Sequence, residues 1–187
     1  MHIAIIDAKT TLSREMEAQE IIKIEIVVCE ILIEQLNIVN SESWYVKPTS
    51  LPILTDFCIR MTGVEQKEID YAKKVYEVIS ELDEYLLKHK IVGWCSWDNA
   101  HSQFIIECRV KSIANPFKGI KHFDLKKIFS QKFGWRVEIA RALQIRTVLS
   151  ERGSRSGNSD AENLVALLNQ ELILRESIIG SLKKHIQ

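Results

Sequence analysis

Three aspartates stand where a folded chain can bring their carboxylates together. Asp7 ends a short apolar run at the start of the chain, Asp98 follows a second apolar run, and Asp160 begins a long amphipathic segment. An acid at the end of a buried strand is costly without a partner. Hard cations such as Mg²⁺ bind clusters of oxygen ligands, and two such ions about 4 Å apart can clamp a phosphodiester and activate a water. Together, the three positions predict a metal site that acts on a phosphodiester.

Each aspartate also has an explanation that involves no chemistry. Asp98 can cap a helix that begins near Asn99, and Asp160 suits a helix start, where the helix dipole favours an acid. Taken one at a time, these structural explanations are the better ones, although Asp7 fits them less well because a buried acid needs a partner. Only the combination of the three favours a metal site.

Lys9 stands two residues after Asp7, where a metal site of this kind often has a second carboxylate. Residues two apart on a strand face the same side. If the first strand continues through Lys9, its ammonium lies beside Asp7 and points into the acidic cluster. There it would neutralise the aspartates in place of a metal. A protonated lysine also repels a dication and cannot ligate it.

The elements that must position these residues follow from the apolar patterns. Strands are predicted at 2–7, at 21–28 as a half-buried strand, at a segment ending in 43–48, and at 91–94, with a hairpin expected across 29–42. Helices are predicted at 51–63, 65–88, 99–111, 124–133, 136–144 and 160–184, with a flexible loop at 151–159. This order predicts one α/β layered domain over residues 1–187.

Composition and charge narrow the class of protein. No apolar run is long enough to span a bilayer and no signal peptide is visible, so we expect a cytoplasmic protein with no membrane contact. The cysteines Cys29, Cys58, Cys95 and Cys108 show no CxxC spacing and are expected to be buried thiols. Residues 111–155 hold 11 Lys and Arg against 3 Asp and Glu. This basic block suits a polyanion, with a solvated basic face as the alternative.

Several motifs resemble the DEDDh branch of the DEDD superfamily of 3′–5′ exonucleases, and in particular the sub-branch that trims RNA 3′ ends. DAKTT at 7–11 resembles the family's first motif, DxEAT; GWCSWD at 93–98 resembles the second; and RSGNSDAEN at 155–163 resembles the third, HRGxxDAxN. The most specific similarity is the P…L…FC…TG order within residues 45–72. The resemblance implies an RNase H-like α/β fold, with a mixed sheet of about five strands and helices on both faces.

The resemblance also implies a site. The family holds two divalent ions, Mg²⁺ or Mn²⁺, on four carboxylates and uses a histidine as general base. Asp7, Asp98 and Asp160 match three of the acids, whereas Lys9 stands at the fourth acidic position and Arg155 stands at the position of the histidine. A guanidinium cannot act as a general base, but it can hold a phosphate through two hydrogen bonds. The chain therefore departs from the family at two catalytic positions.

Further candidates carry weaker signals. Thr11 matches a family threonine beside the 3′ nucleotide, although threonines are common at strand ends, and Trp97 can stack on a base or pack in the core. Trp94 is expected in the core. Substitutes for the altered positions, each a weak candidate, are Glu15, Glu17, Glu151 and Glu162 as ligands and His101 as a base.

Three functions remain open from the sequence. The first is a catalytically impaired exonuclease relative that binds the 3′ ends of single-stranded RNA or DNA, with or without a metal. The second is an active exonuclease that uses Mg²⁺ or Mn²⁺ through the three aspartates. The third is a protein-interaction module on the same fold. The apolar stripe of the last helix, which runs through Leu172, Leu174, Ile178, Ile179 and Leu182, is a candidate surface for a homo-oligomer.

Overall fold

The computed structural model describes residues 1–12, 18–97, 99–134 and 160–186, except for the side chains of residues 185 and 186. The strands are β1 (His2–Thr10), β2 (Ile21–Ile31), β3 (Leu36–Lys47), β4 (Lys73–Lys74), β5 (Ile91–Ser96) and β6 (Lys121–Asp124). The helices are α1 (Asp56–Thr62), α2 (Gln66–Asp70), α3 (Val75–Lys88), α4 (Ala100–Val110), α5 (Leu125–Phe133), α6 (Asp160–Gln170) and α7 (Leu172–Ile186). The helix predicted at 136–144 and the loop predicted at 151–159 lie outside the described residues.

The strands form one mixed sheet in the order β4-β3-β2-β1-β5-β6. β2 pairs antiparallel with β1 and β3, whereas β5 pairs parallel with β1 and β6 pairs parallel with β5. The mixed α/β fold was predicted correctly, with six strands in the described residues instead of about five. The two strands that the sequence missed, β4 and β6, are too short to carry a recognisable apolar pattern.

Side chains alternate across the sheet, so the central strand β1 contributes to two separate cores. Ile3 and Ile5 pack on the face covered by α5, α6 and α7, and Ala4 and Ile6 pack on the face covered by α3 and α4. Both faces of β2 are covered as well, so its prediction as a half-buried strand was wrong. Lys23 is accommodated because its ammonium donates to the Glu25 carboxylate at 2.7 Å.

The hairpin between β2 and β3 and the C-terminal end of α1 both lie where the sequence predicts them. Leu32 N donates to Gln35 O at 3.0 Å and closes the predicted hairpin between β2 and β3. α1 stops at Gly63, which has a φ of 72° and donates to Ile59 O at 2.8 Å. The helix begins only at Asp56, because the Thr55 hydroxyl accepts the N–H of Cys58 and caps it there.

Two predicted long helices are each divided. The segment 65–88 forms α2, β4 and α3, and Glu77 marks the new start of α3 by accepting the backbone N–H of Lys74 at 2.9 Å. The C-terminal helix breaks at Glu171 into α6 and α7. There the buried Arg175 donates to Asn169 O at 3.1 Å and satisfies a carbonyl at the end of α6. Within the described ranges, no helix combines the length and apolar character needed to cross a membrane.

Gly93 of β5 lies where α7 passes close to the sheet. A Cβ at this position would lie 2.8 Å from Leu182 Cδ2 and 3.1 Å from Phe123 Cε2. Both neighbours belong to the packed core between the sheet and α7. The absence of a side chain at Gly93 therefore sets the distance at which α7 packs.

We expect Gly93→Ala to lower the free energy of unfolding by about 1–3 kcal/mol, because the new methyl group must displace core side chains. The control is Gly180→Ala in α7, where no atom lies within 4 Å of the added Cβ. That change should raise stability by roughly 1 kcal/mol through helix propensity. Urea denaturation measures both effects, and an unchanged midpoint for Gly93→Ala would contradict the close packing of α7.

Candidate functional site

The end of β1 and the start of α6 meet through an ion pair. Lys9 Nζ lies 3.0 Å from Asp7 Oδ2 and also contacts Asp160 Oδ2. β1 continues through Thr10, so Asp7 and Lys9 share one side of the strand, as their spacing predicts. The side chains are 24% exposed for Lys9, 23% for Asp7 and 40% for Asp160, so solvent screens this contact only in part.

The charges in this cluster depend on one another. Burial raises the pKa of Asp7, the Lys9 ammonium opposes this change, and the negative charges of Asp160 and Glu25 add to it. Burial would lower the pKa of Lys9, but its contacts with Asp7 and Asp160 outweigh burial and raise that pKa. Lys9 is therefore a permanent cation at neutral pH, and it stabilises the ionised form of the partly buried Asp7.

The described residues of this cluster fit an ammonium better than a divalent ion. The space between the two carboxylates is taken by Lys9 Nζ, which carries a positive charge and cannot donate a lone pair. Within the described ranges, no group of three His, Cys, Asp or Glu side chains is close enough to hold a metal ion. Asp98 and Arg155, the other predicted members of the site, lie outside the described residues.

A cavity of about 490 Å³ opens beside the ion pair. Its wall combines β1 residues with the end of α1 and the start of α4, and it is lined by Asp7, Ala8, Lys9, Thr10, Leu12, Gln19, Met61, Thr62, Asn99, Ala100, Gln103 and Lys126. Two cations, the Asp7 carboxylate, several amide side chains and a few apolar groups thus line one space. Such a lining can hold a phosphate and an attached base.

The sequence motifs did not point to Gln103 as part of this cavity. Its side-chain amide donates to Gln19 O at 2.8 Å and so fixes one side of the cavity. The one indication in the sequence was the position of Gln103 at the start of the helix that follows Asp98, the second predicted aspartate of the site. A lone glutamine carries too little chemistry to be recognised from the sequence.

Thr11 lies next to the cavity but does not line it. The side chain is buried, its hydroxyl accepts the backbone N–H of Glu20 at 2.9 Å, and its own N–H donates to Glu20 O at 2.8 Å. Thr11 therefore connects the end of β1 to the residue before β2. A contact with a 3′ nucleotide stays a prediction.

Trp97 is a core residue in this structure. Its indole is only 3% exposed and packs on Phe129 of α5, with ring centroids 5.6 Å apart. That burial leaves no open face for stacking on a base, so the structure favours the core interpretation. Trp94 is buried as predicted and stacks on Phe117 at 4.3 Å.

Of the predicted substitutes, Glu162 and His101 lie in the described part of the chain, and neither lines the cavity. Glu162 lines a groove beside Glu25 and Ser43 of the sheet, as expected from its spacing after Asp160. His101 stacks on His122 of β6 with ring centroids 4.2 Å apart and packs against Trp94. Glu15, Glu17 and Glu151 lie outside the described residues.

The two stacked histidines form a separate polar cluster between α4 and β6. A hydrogen bond of 2.8 Å joins His122 Nε2 to Ser96 Oγ. Burial and the neighbouring His101 lower the pKa of His122 to about 4, although Asp124 opposes this. His122 is therefore neutral in the folded protein at physiological pH.

We expect Lys9→Met to lower the free energy of unfolding by about 1–3 kcal/mol at pH 7, because it leaves two neighbouring carboxylates without their cation. The loss should shrink as the pH falls, because burial raises the pKa of Asp7 and its protonation removes the repulsion between the two carboxylates. Lys67→Met is the matched control, since Lys67 pairs with Glu65 on an exposed surface and should leave stability nearly unchanged. Equal losses in the two variants, measured by urea denaturation, would contradict the role of the Lys9 ion pair.

We expect stability to fall by up to about 3 kcal/mol between pH 6.5 and pH 4 on account of His122. In this pH range His122 is protonated in the unfolded chain but stays neutral in the folded protein, because folding lowers the pKa of His122 from 6.5 to about 4. His122→Gln cannot titrate and should lack this contribution. The measurement is thermal or urea unfolding of both proteins across this pH range, and parallel pH profiles would show that His122 titrates normally.

The sequence of this chain is similar to a family model and to known proteins. A family model described as Exonuclease (RNase T) matches residues 4–168. The chain is 27% identical over 205 residues to the mouse (Mus musculus) protein named 3′-5′ exoribonuclease 1, and the match covers 96% of this chain. It spans only 57% of the length of that mouse protein.

Two solved structures share the fold. The nuclease domain of 3′hExo, a DEDDh family member bound to rAMP, superposes with a TM-score of 0.78 at 20% identity and covers 91% of each chain. A structure of 3′-end specific recognition of histone mRNA stem-loop by 3′-exonuclease has a TM-score of 0.78 at 18% identity, covering 93% of this chain and 64% of the other. The RNase H-like fold is thereby confirmed. Since the family model covers most of the chain, the protein belongs to the exonuclease family and is related to 3′–5′ exonucleases.

Proposed function

We propose that this chain binds the 3′ end of single-stranded RNA or DNA and hydrolyses it weakly or not at all. The observation that carries the proposal is the position of Lys9, whose ammonium contacts both Asp7 and Asp160. In the motif that DAKTT resembles, this position holds a carboxylate. A cation there removes one metal ligand and repels the ions that the remaining carboxylates would hold.

The identity of residue 155, an arginine, also supports weak or absent hydrolysis. It stands where the third motif of the family has a histidine that acts as general base. An arginine guanidinium stays protonated at any useful pH and cannot take a proton from water. General-base catalysis typically contributes about 10²–10⁴-fold, so this change together with Lys9 should leave little hydrolysis.

The cavity beside the ion pair supports binding without cleavage. Lys126 places an ammonium on its wall next to the Lys9 ion pair, whose charge Asp7 and Asp160 balance, and Gln19, Asn99 and Gln103 add amide side chains. Cations and amides can hold a phosphate without any metal. Related structures are described with rAMP or with a histone mRNA 3′ end, which makes a nucleic acid 3′ end the natural ligand to test.

An active exonuclease is the second candidate, favoured by the presence of Asp7, Asp98 and Asp160 at three of the four acidic positions. In that case Lys9 would leave the carboxylates, and Mg²⁺ or Mn²⁺ would bind through the three aspartates. A protein-interaction module on the exonuclease fold is the third candidate. It differs from the others because it would neither bind nor cut nucleic acid.

The test is decay of a 5′-labelled, 3′-overhanging RNA and its DNA equivalent with Mg²⁺ or Mn²⁺. The natural chain should leave both intact, whereas Lys9→Glu/Arg155→His should shorten them from the 3′ end. Adding Asp7→Ala to the double variant is the matched control and should abolish cutting, which identifies any contaminating nuclease. The natural chain should bind the same strands in EDTA, and its affinity should fall as salt rises.

Any other outcome of the decay and binding assays favours one of the other two functions. If the natural chain cuts and Asp7→Ala does not, the protein is a working exonuclease and the interpretation of Lys9 is wrong. If the natural chain neither cuts nor binds either strand at low salt, the proposal is wrong and the interaction module becomes the function to test. Binding without cutting, together with a double variant that cuts, is the outcome that the proposal requires.

A further inference from the structure

Glu20 joins the elements that form the wall of the cavity, although it does not line the cavity itself. It lies just before β2 and is 4% exposed. Two hydrogen bonds join its backbone to Thr11 at the end of β1. Its side chain contacts two other parts of the wall, so that β1, α1 and α4 are all connected through this one residue.

The Glu20 carboxylate holds the loop that leads into α1. Its Oε1 accepts the backbone N–H of Thr49 at 2.9 Å and the Thr49 hydroxyl at 2.7 Å. Its Oε2 accepts the backbone N–H groups of Ser50 at 2.7 Å and of Leu51 at 3.3 Å. Three consecutive residues are thus fixed ahead of α1, the helix whose last turn lines the cavity.

The same part of the chain holds α4 along one side. Gln103, Glu107 and Lys111 are four residues apart, so their side chains lie on one face of the helix and its end. Each of the three contacts the segment 19–21. Lys111 Nζ donates to Glu20 Oε1 at 2.5 Å, and both side chains are largely buried. Because the start of α4 lines the cavity, these contacts position a second part of its wall.

Glu20 is suited to this role by its charge. Burial would raise the pKa of Glu20, but hydrogen bonds from Lys111, Thr49 and Ser50 lower it to about 2. Glu20 is therefore an anion at neutral pH, and hydrogen bonds to a carboxylate are stronger than those to a neutral acceptor. A glutamine has one acceptor oxygen, and its NH₂ group cannot accept a backbone N–H.

α1 also contacts β1 at a point where its position can be measured. Cys58 of α1 is 2% exposed, and its thiol donates to Thr10 O of β1 at 3.7 Å. Thr10 and Met61, one turn of α1 further on, both line the cavity. Movement of α1 away from β1 would therefore widen the cavity and expose the Cys58 thiol together.

We propose that Glu20 is a positioning residue for the binding of a nucleic acid 3′ end, because it holds α1 and α4 at the spacing that lets the cavity take a nucleotide. The choice of ligand rests on the proposed function above. Without the Glu20 carboxylate, the walls are aligned in only a fraction of the molecules. The apparent dissociation constant then rises in inverse proportion to that fraction.

The test is binding of a 5′-labelled single-stranded RNA and its DNA equivalent in EDTA. Glu20→Gln should raise the dissociation constant at least about tenfold. Lys111→Met should weaken binding in the same direction, whereas Lys111→Arg keeps the ion pair and should weaken it far less. Val78→Ala is the control for lost stability, since Val78 is buried in α3, none of whose described residues lines the cavity. It should bind like the natural chain.

A second measurement needs no nucleic acid. Iodoacetamide labels exposed thiols, and mass spectrometry gives the labelling rate of each cysteine. Glu20→Gln should speed the labelling of Cys58 relative to Cys29 and Cys95, which lie in β2 and β5. In Val78→Ala the three rates should rise together, because a general loss of stability exposes the whole core.

Two results would overturn the role of Glu20. One is labelling of Cys58 at its natural rate in Glu20→Gln. The other is binding by Glu20→Gln that equals that of the natural chain, or that is weakened no more than in Val78→Ala. If the natural chain binds neither strand, the proposed function fails, and faster labelling of Cys58 in Glu20→Gln would still show that Glu20 positions the wall.

Discussion

The balance of charge between Lys9, Asp7 and Asp160 determines how the end of β1 and the start of α6 can pack together. The strand brings Asp7 to the surface of a core that excludes water, and α6 begins with Asp160 at the same place. Two carboxylates this close need a cation, and Lys9 supplies it from within the strand. The C-terminal helices are thus tied to the first strand through the Lys9 ammonium.

The same ion pair links folding to function. In a site that holds metal ions, the acidic cluster is stabilised only when the ions are present. Here the cluster carries its own cation, so α6 can dock on β1 in the absence of any ligand. The cluster therefore supplies its own counter-charge and does not need to recruit one.

Much of the fold could be predicted because long apolar runs and special residues leave clear patterns. The buried strand at 2–7, the hairpin and the end of α1 at Gly63 all follow from local sequence. The break at Glu171 could not be predicted, because it depends on Arg175 reaching carbonyls that only the folded helix pair presents. At the site, the spacing of Asp7 and Lys9 predicted their contact, whereas the burial of Trp97 depends on α5 packing over it.

Lys9 also limits how this chain can change during evolution. Replacing it by an acid would place a third carboxylate beside Asp7 and Asp160, and the fold would lose its internal counter-charge in the same step. Any change at this position would therefore have to be matched by another cation that the remaining carboxylates can hold.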